Sequence, residues 1–220
     1  MAALLKDRHD AGKRLGDFLL NYNFKSPIVL GLPRGGVIVA EEVAKILHCP
    51  MSVVISRKIG SPDQPELGIG ALSEDEVPIF NRIGHAYFDL NSQEIEDIVQ
   101  LEKQELRRRK TLYRQDQNLP DLQKFTVIVV DDGLATGATA VAAAHYLRSL
   151  HPLELILAIP VAPVSKGQEV LGSYDRVISL FDLESFSGVG LWYDEFDQVE
   201  DQEVLNTLKS FKDTNDHYFN

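Results

Sequence analysis

The chain has 220 residues, 44% hydrophobic and 25% charged, which is enough for one soluble domain with a sizeable core. A single cysteine, Cys49, excludes a disulfide framework and any multi-cysteine metal centre, and 15 glycines with 10 prolines are too few for a low-complexity chain. The formal charge of −11 argues against a general nucleic-acid binder, which needs a basic face to displace counterions, but leaves room for anionic small molecules held by backbone amides.

In chain order, Leu5, Leu15, Phe18, Leu19 and Tyr22 recur at helical spacing and predict a helix over 5–23. The opening apolar stretch is too short for a signal peptide, and no apolar run approaches eighteen residues, so a cytoplasmic protein without membrane spans is expected. Residues 27–32 (PIVLGL) read as a buried strand, stopped by Pro33-Arg34-Gly35-Gly36. A helix over 37–47 and a second buried strand over 51–56 complete a βαβ unit of a parallel sheet. Residues 60–65 give a loop signal, 67–72 a glycine-interrupted strand and 77–80 its hairpin partner. Ser92 is placed to cap a charged helix reaching about residue 112, on which Arg107 to Lys110 with Glu102 and Glu105 read as a salt-bridged solvent face. A buried strand at 126–130, an alanine-rich helix at 140–150, a strand at 153–160, a helix at 165–171, a strand at 175–181 and a helix near 204–212 follow. The alternation predicts a single α/β domain, doubly wound on a parallel sheet, with its core at about 26–181.

In such sheets ligands bind at the carboxyl ends of the strands. Two ends here carry unusual residues. Asp131 and Asp132 finish the apolar run 126–130, and Gly133, Thr136, Gly137 and Thr139 lead straight into a helix. Small residues let backbone N–H groups converge, and the helix N-terminus adds partial positive charge, so the loop suits a dianionic phosphate. Adjacent carboxylates are acceptors for sugar hydroxyls. A phosphate on one side and vicinal hydroxyls on the other would suit a ribose 5-phosphate. Other phosphate loops fit less well. Gly137 is followed by Ala138 rather than the lysine of a Walker loop, and no G-x-G-x-x-G follows the first strand. Metal-dependent phosphate hydrolysis by Asp131 and Asp132 fits less well too, since no further ligand cluster accompanies them.

At VIVVDDGLATGAT the chain resembles the type I phosphoribosyltransferases, whose signature for 5-phosphoribosyl 1-diphosphate (PRPP) has this form. The further set LPRGG, SRKIG, PELGIGAL and VGLWYDEF resembles a stand-alone bacterial group of that family over nearly the whole chain. The resemblance implies transfer of the 5-phosphoribosyl group to a nitrogen acceptor, a nucleobase, with loss of pyrophosphate. A PRPP-binding regulator without turnover is the alternative. It implies that Ala135, Thr136, Gly137, Ala138 and Thr139 bind the 5-phosphate, and that Asp131 and Asp132 meet the ribose hydroxyls directly or through Mg²⁺ and water. Pro33, Arg34, Gly35 and Gly36 occupy the place of the family's pyrophosphate loop, often built on a non-proline cis peptide. Arg34, Arg57 and Lys58 are candidate catalytic cations for the leaving group. Residues 60–81 are expected as a mobile loop closing over the site. A hood from 1–25 and 182–220 would take the base, with Trp192 and Tyr193, joined by Phe186 and Phe196, as stacking rings. Small-molecule substrates are the expected partners, with no nucleic acid and no membrane, and a homodimer is compatible with the resemblance.

Overall fold

Residues 3–115 and 117–214 are described in the structure, a computed structural model. The chain runs α1 (Arg8–Leu19), β1 (Pro27–Gly31), α2 (Gly35–Leu47), β2 (Met51–Val53), β3 (Ser56–Gly60), β4 (Gly68–Ser73), β5 (Ile79–Phe80), α3 (Arg82–Tyr87), α4 (Gln93–Arg114), β6 (Thr126–Val130), α5 (Ala138–Ser149), β7 (Glu154–Pro163), α6 (Gln168–Ser173), β8 (Arg176–Leu183), a 3-10 turn (Val189–Trp192) and α7 (Asp201–Thr214). Five strands form a parallel sheet in the order β2-β1-β6-β7-β8. β6 is buried at every residue, as its unbroken Thr-Val-Ile-Val-Val run requires of a strand covered on both faces. Alternate side chains serve opposite faces. Val29, Ile128 and Val130 join a core with α1, α2, α4 and α7, while Ile28, Leu30, Val127 and Val129 join one with α5 and α6. This is the predicted doubly wound α/β architecture. Among the described residues no helix is long and apolar enough to cross a membrane.

The predicted strand over 51–56 divides between two sheets. Met51–Val53 stays in the parallel sheet, and Ser56 opens β3 of an antiparallel sheet ordered β3-β4-β5. The change of partner happens at Ile55. The Glu74 carboxylate accepts its N–H at 3.1 Å, and the Ser73 hydroxyl donates to its carbonyl at 2.8 Å. A continuous apolar run carries no mark of such a switch. Within the span 60–81, expected to move over the site, the predicted strand and hairpin partner are present. β4 is buried along its whole length, with Ile69 and Leu72 in the core, and pairs with β5 through Gly70–Phe80 and Ala71–Ile79.

The two terminal segments lie side by side. The N–H groups of Leu4 and Leu5 both donate to the Trp192 carbonyl at 3.1 Å. Asp194 N–H then reaches Leu5 at 2.9 Å, and Glu195 N–H reaches Lys6 at 2.8 Å. The chain between this zipper and α7, residues 196–200, passes over the end of the sheet as a strap.

The antiparallel arm is tied down by an ion pair that water does not reach. The Glu74 side chain is fully buried and paired with Arg114, whose side chain is 6% exposed. Arg114 Nε and Nη1 are buried without a partner, so Glu74 is what neutralises this cation. Glu74→Ala should therefore cost about 3–5 kcal/mol in urea unfolding. Glu74→Ala with Arg114→Leu should recover much of that loss, because no charge is then left stranded.

Candidate active site

β6 delivers Asp131 and Asp132 at its carboxyl end, and the chain then makes a tight loop into α5. Leu134 N–H donates to the Val161 carbonyl at 2.9 Å, pinning the loop to β7. Gly137, with φ of +75°, sets the αL turn from which α5 starts. A Cβ there would also come within 2.3 Å of Val170. The result is a recess of about 160 Å³ lined by Asp131, residues 133–137, Thr139 and Ala140, and closed from beneath by Leu157 and Ile159. Ala135 and Thr136 are exposed at its rim. Of the residues implied for the 5-phosphate, Ala135, Thr136, Gly137 and Thr139 thus line one concave loop and Ala138 does not, at a helix N-terminus where an anion meets both free N–H groups and the helix dipole.

The two carboxylates are close enough to repel each other. Burial, then the charge of Asp132, holds the Asp131 carboxyl well above the usual aspartate range. Burial raises Asp132 as well, opposed by Arg8. Asp131 Oδ1 accepts the Asp132 N–H at 2.9 Å, and Asp132 Oδ2 accepts from Arg8 Nε at 2.8 Å.

The loop after β1 presses directly against this pair. Leu32 N–H donates to the Val130 carbonyl at 2.8 Å, and the Pro33–Arg34 peptide is cis. A Cβ on Gly35 would lie 2.0 Å from Asp132 Oδ2 and 2.6 Å from Arg8 Nε, so only glycine fits between them. Arg34 turns toward the strap, 3.5 Å from Glu200 and 3.8 Å from Asp201. Arg8, Arg34, Gly35 and residues 196–199 together line a second cavity of about 360 Å³.

Some expected residues are placed elsewhere. Trp192 and Tyr193 are 8% and 5% exposed, packed with Leu5, Ala11 and Val161, so they do not offer faces to a base. Tyr193 supports the site from behind: its hydroxyl donates to the Asp132 carbonyl at 2.6 Å. Phe196 is the ring that does line the cavity, and Arg8 sits on it, 3.8 Å from the centroid. Arg57 and Lys58 are not brought to the carboxylates. They line a separate recess of about 360 Å³ with residues 60–62, Pro65 and Ile98. Arg57 is bonded there to Glu102 at 2.7 Å, and Lys58 to Glu66 at 3.2 Å. β3 carries them out of the parallel sheet, which is why their order in sequence misleads. Arg8 itself was not singled out by the sequence. It stands 124 residues from Asp132, in no motif, and only the fold joins them.

Comparison with known proteins agrees with this fold. A family model described as the phosphoribosyl transferase domain matches residues 5–194. Two Mycobacterium tuberculosis proteins, from strains CDC 1551 and H37Rv and named as candidate phosphoribosyl transferases, are each 39% identical over 205 residues. That alignment covers 93% of this chain but 46% of theirs, so the chain spans about half the length of these curated relatives. A crystal structure from Thermus thermophilus superposes with a TM-score of 0.75 at 33% identity, covering 94% of this chain and 98% of that one. A Neisseria gonorrhoeae structure, at 12% identity and a TM-score of 0.51, covers 96% of this chain and 99% of its own and shares the fold.

Two outcomes test the site as built. Gly137→Ala should destabilise the protein, because alanine there must both adopt positive φ and displace Val170. Asp131→Asn should raise the melting temperature at neutral pH by about 2–4 °C per kcal/mol recovered. The sign follows from the raised carboxyl. Its favourable contribution is complete below the unfolded-state pKa and is lost as pH rises through the higher native value. The advantage of the asparagine variant should therefore shrink as thermal scans move to acid pH.

Proposed function

The chain belongs to the phosphoribosyl transferase domain family, and from that premise we propose that it moves the 5-phosphoribosyl group of PRPP to a nitrogen acceptor, a nucleobase, and releases pyrophosphate. The observation that carries this reading is the junction of three parts at neighbouring strand ends. A phosphate-sized recess, two carboxylates and a glycine loop meet within van der Waals reach. In this reading residues 135–139 hold the 5-phosphate, and Asp131 and Asp132 take the ribose hydroxyls. Pro33, Arg34, Gly35 and Gly36 cradle the pyrophosphate, for which Arg34 supplies a forked cation. The acceptor enters the cavity walled by Phe196 to Val199.

Departure of pyrophosphate builds positive charge on the sugar, by analogy with glycosyl transfer. Asp131 and Asp132, held near the ring, stabilise that charge, while the phosphate loop fixes the sugar's far end. The two carboxylates offer hard oxygen donors whose mutual repulsion a cation relieves, so they fit Mg²⁺ carried in largely by substrate phosphates. Bound there, Mg²⁺ would neutralise charge on the leaving group.

One observation favours the regulator without turnover. Arg57 and Lys58, the further cations expected at the leaving group, are engaged by Glu102 and Glu66 in a separate recess. Two measurements separate the readings. PRPP with Mg²⁺ at about 100 times Kd should stabilise the protein by roughly 2.7 kcal/mol, and Asp131→Asn with Asp132→Asn should abolish the shift. A screen of nucleobases for pyrophosphate release then decides. Release with one base establishes the transferase, and binding without release under any base establishes the regulator.

A further inference from the structure

The carboxylates that end β6 are turned by different means. Asp131 is held locally, by the N–H of its neighbour. Asp132 is held from a distance, its Oδ2 bonded to Arg8 Nε. Arg8 opens α1 and is itself fixed on several sides. Its Nη1 donates to the Asp197 carbonyl at 2.8 Å, its guanidinium lies on the Phe196 ring, and the zipper of residues 4–6 with 192–195 fixes the chain just before it. Its side chain is 12% exposed, against 17% for Asp132. A planar fork so held can grip one carboxylate oxygen and leave the other unused.

We propose that Arg8 is a positioning residue for the ribose. It fixes the Asp132 carboxylate with Oδ1 turned to a sugar hydroxyl, and it couples that orientation to the strap 196–199 that walls the acceptor cavity. The inference rests on the reading of this site as one for PRPP. Its chemical sense lies in the oxygens that remain. Asp131 spends Oδ1 on a backbone N–H and Asp132 spends Oδ2 on Arg8. Asp132 Oδ1 is the oxygen that Arg8 leaves for a sugar hydroxyl. Without Arg8, Asp132 would lose the partner that fixes its orientation. Lysine cannot replace Arg8, because one ammonium has neither a second nitrogen placed for Asp197 nor a flat face for Phe196. The same contacts give the strap its place, so sugar binding and the acceptor wall are set by one side chain.

The test is calorimetric titration of wild type, Arg8→Lys, Arg8→Gln and Arg8→Ala with PRPP and Mg²⁺, and separately with inorganic phosphate. Arg8→Gln and Arg8→Lys should each weaken PRPP about tenfold or more, the scale of one charge-assisted hydrogen bond. Phosphate affinity should stay at the wild-type value, because the recess at 133–140 does not include Arg8. Millimolar guanidinium should restore part of the PRPP affinity of Arg8→Ala and none of that of Asp132→Asn. Unchanged PRPP binding by Arg8→Gln would overturn the inference. Tighter binding would too, since Arg8 would then be competing with the sugar for Asp132. A parallel loss of phosphate binding together with a lowered melting temperature would overturn it in favour of a general folding role. Wild-type protein that binds no PRPP would remove the reading of the site and the inference with it.

Discussion

Placing two adjacent carboxylates at the buried end of an apolar strand is the constraint around which this molecule is arranged. Burial holds both carboxyls above the ordinary aspartate range, the charge of Asp132 raises Asp131 further, and Arg8 opposes the rise of Asp132. The surrounding structure offsets this cost only in part. One N–H and one guanidinium are bonded to the pair. A fold selected for stability alone would have ended β6 in apolar residues. Retaining the pair is the kind of local penalty that binding sites carry, since the groups that cost stability are those a ligand satisfies.

The rest of the site follows from where that pair sits. Parallel pairing of β1 with β6, in register from Pro27–Thr126 to Gly31–Val130, brings both strand ends to one edge. The loop after β1 must then cross the carboxylates at close range, and Gly35 and Gly36 are what allow it. A Cβ on Gly36 would lie 2.7 Å from the Val130 carbonyl. The termini complete the enclosure because they pair with each other before they reach it. The strap therefore leaves a paired segment, with Arg8 between it and Asp132. Tyr193 closes the back by donating to the Asp132 carbonyl, and burial with the nearby carboxylates pushes its own hydroxyl pKa upward.

What was legible in the sequence was local. The run from Val127 to Thr139 carries strand, diacid, small-residue turn and helix in contiguous residues, so its form can be read without knowing its neighbours. Ser92 is of the same kind: its hydroxyl accepts from Ile95 N–H at the start of α4, as a cap should. The charged run Arg107 to Lys110 was legible in part: Glu105 bonds Arg108 and Arg109 on the helix, but Glu102 bonds Arg57, Arg107 reaches Glu76 on the antiparallel arm, and Arg109 is buried rather than on a solvent face. What was hidden depends on contacts between distant residues. Arg8 is one of many arginines until the zipper of termini places it. Trp192 and Tyr193 have the chemistry of stacking rings, but the same apolar surface serves packing, and packing with Leu5 and Val161 prevails. Arg57 and Lys58 follow a buried strand as a phosphate-site cation might, but the chain has changed sheets at Ile55.

That change of sheets also limits how the site can be closed. The arm bearing Arg57 and Lys58 is pinned at its base by the buried Glu74–Arg114 pair, the Ser73–Ile55 bond and the burial of β4. Moving the whole arm would expose that ion pair's partly unsatisfied guanidinium and the core side chains of Ile69 and Leu72. The tip between Gly60 and Gly68 is under no such restraint. Glu66 is fully exposed there, and the turn holds together through its own bonds, from Ser61 N–H to the Leu67 carbonyl at 2.9 Å and from the Ser61 hydroxyl to the Gln64 carbonyl at 2.9 Å. Rearrangement near the Arg57–Lys58 recess is therefore cheapest as a motion of this preformed turn, at the cost of the Lys58–Glu66 contact.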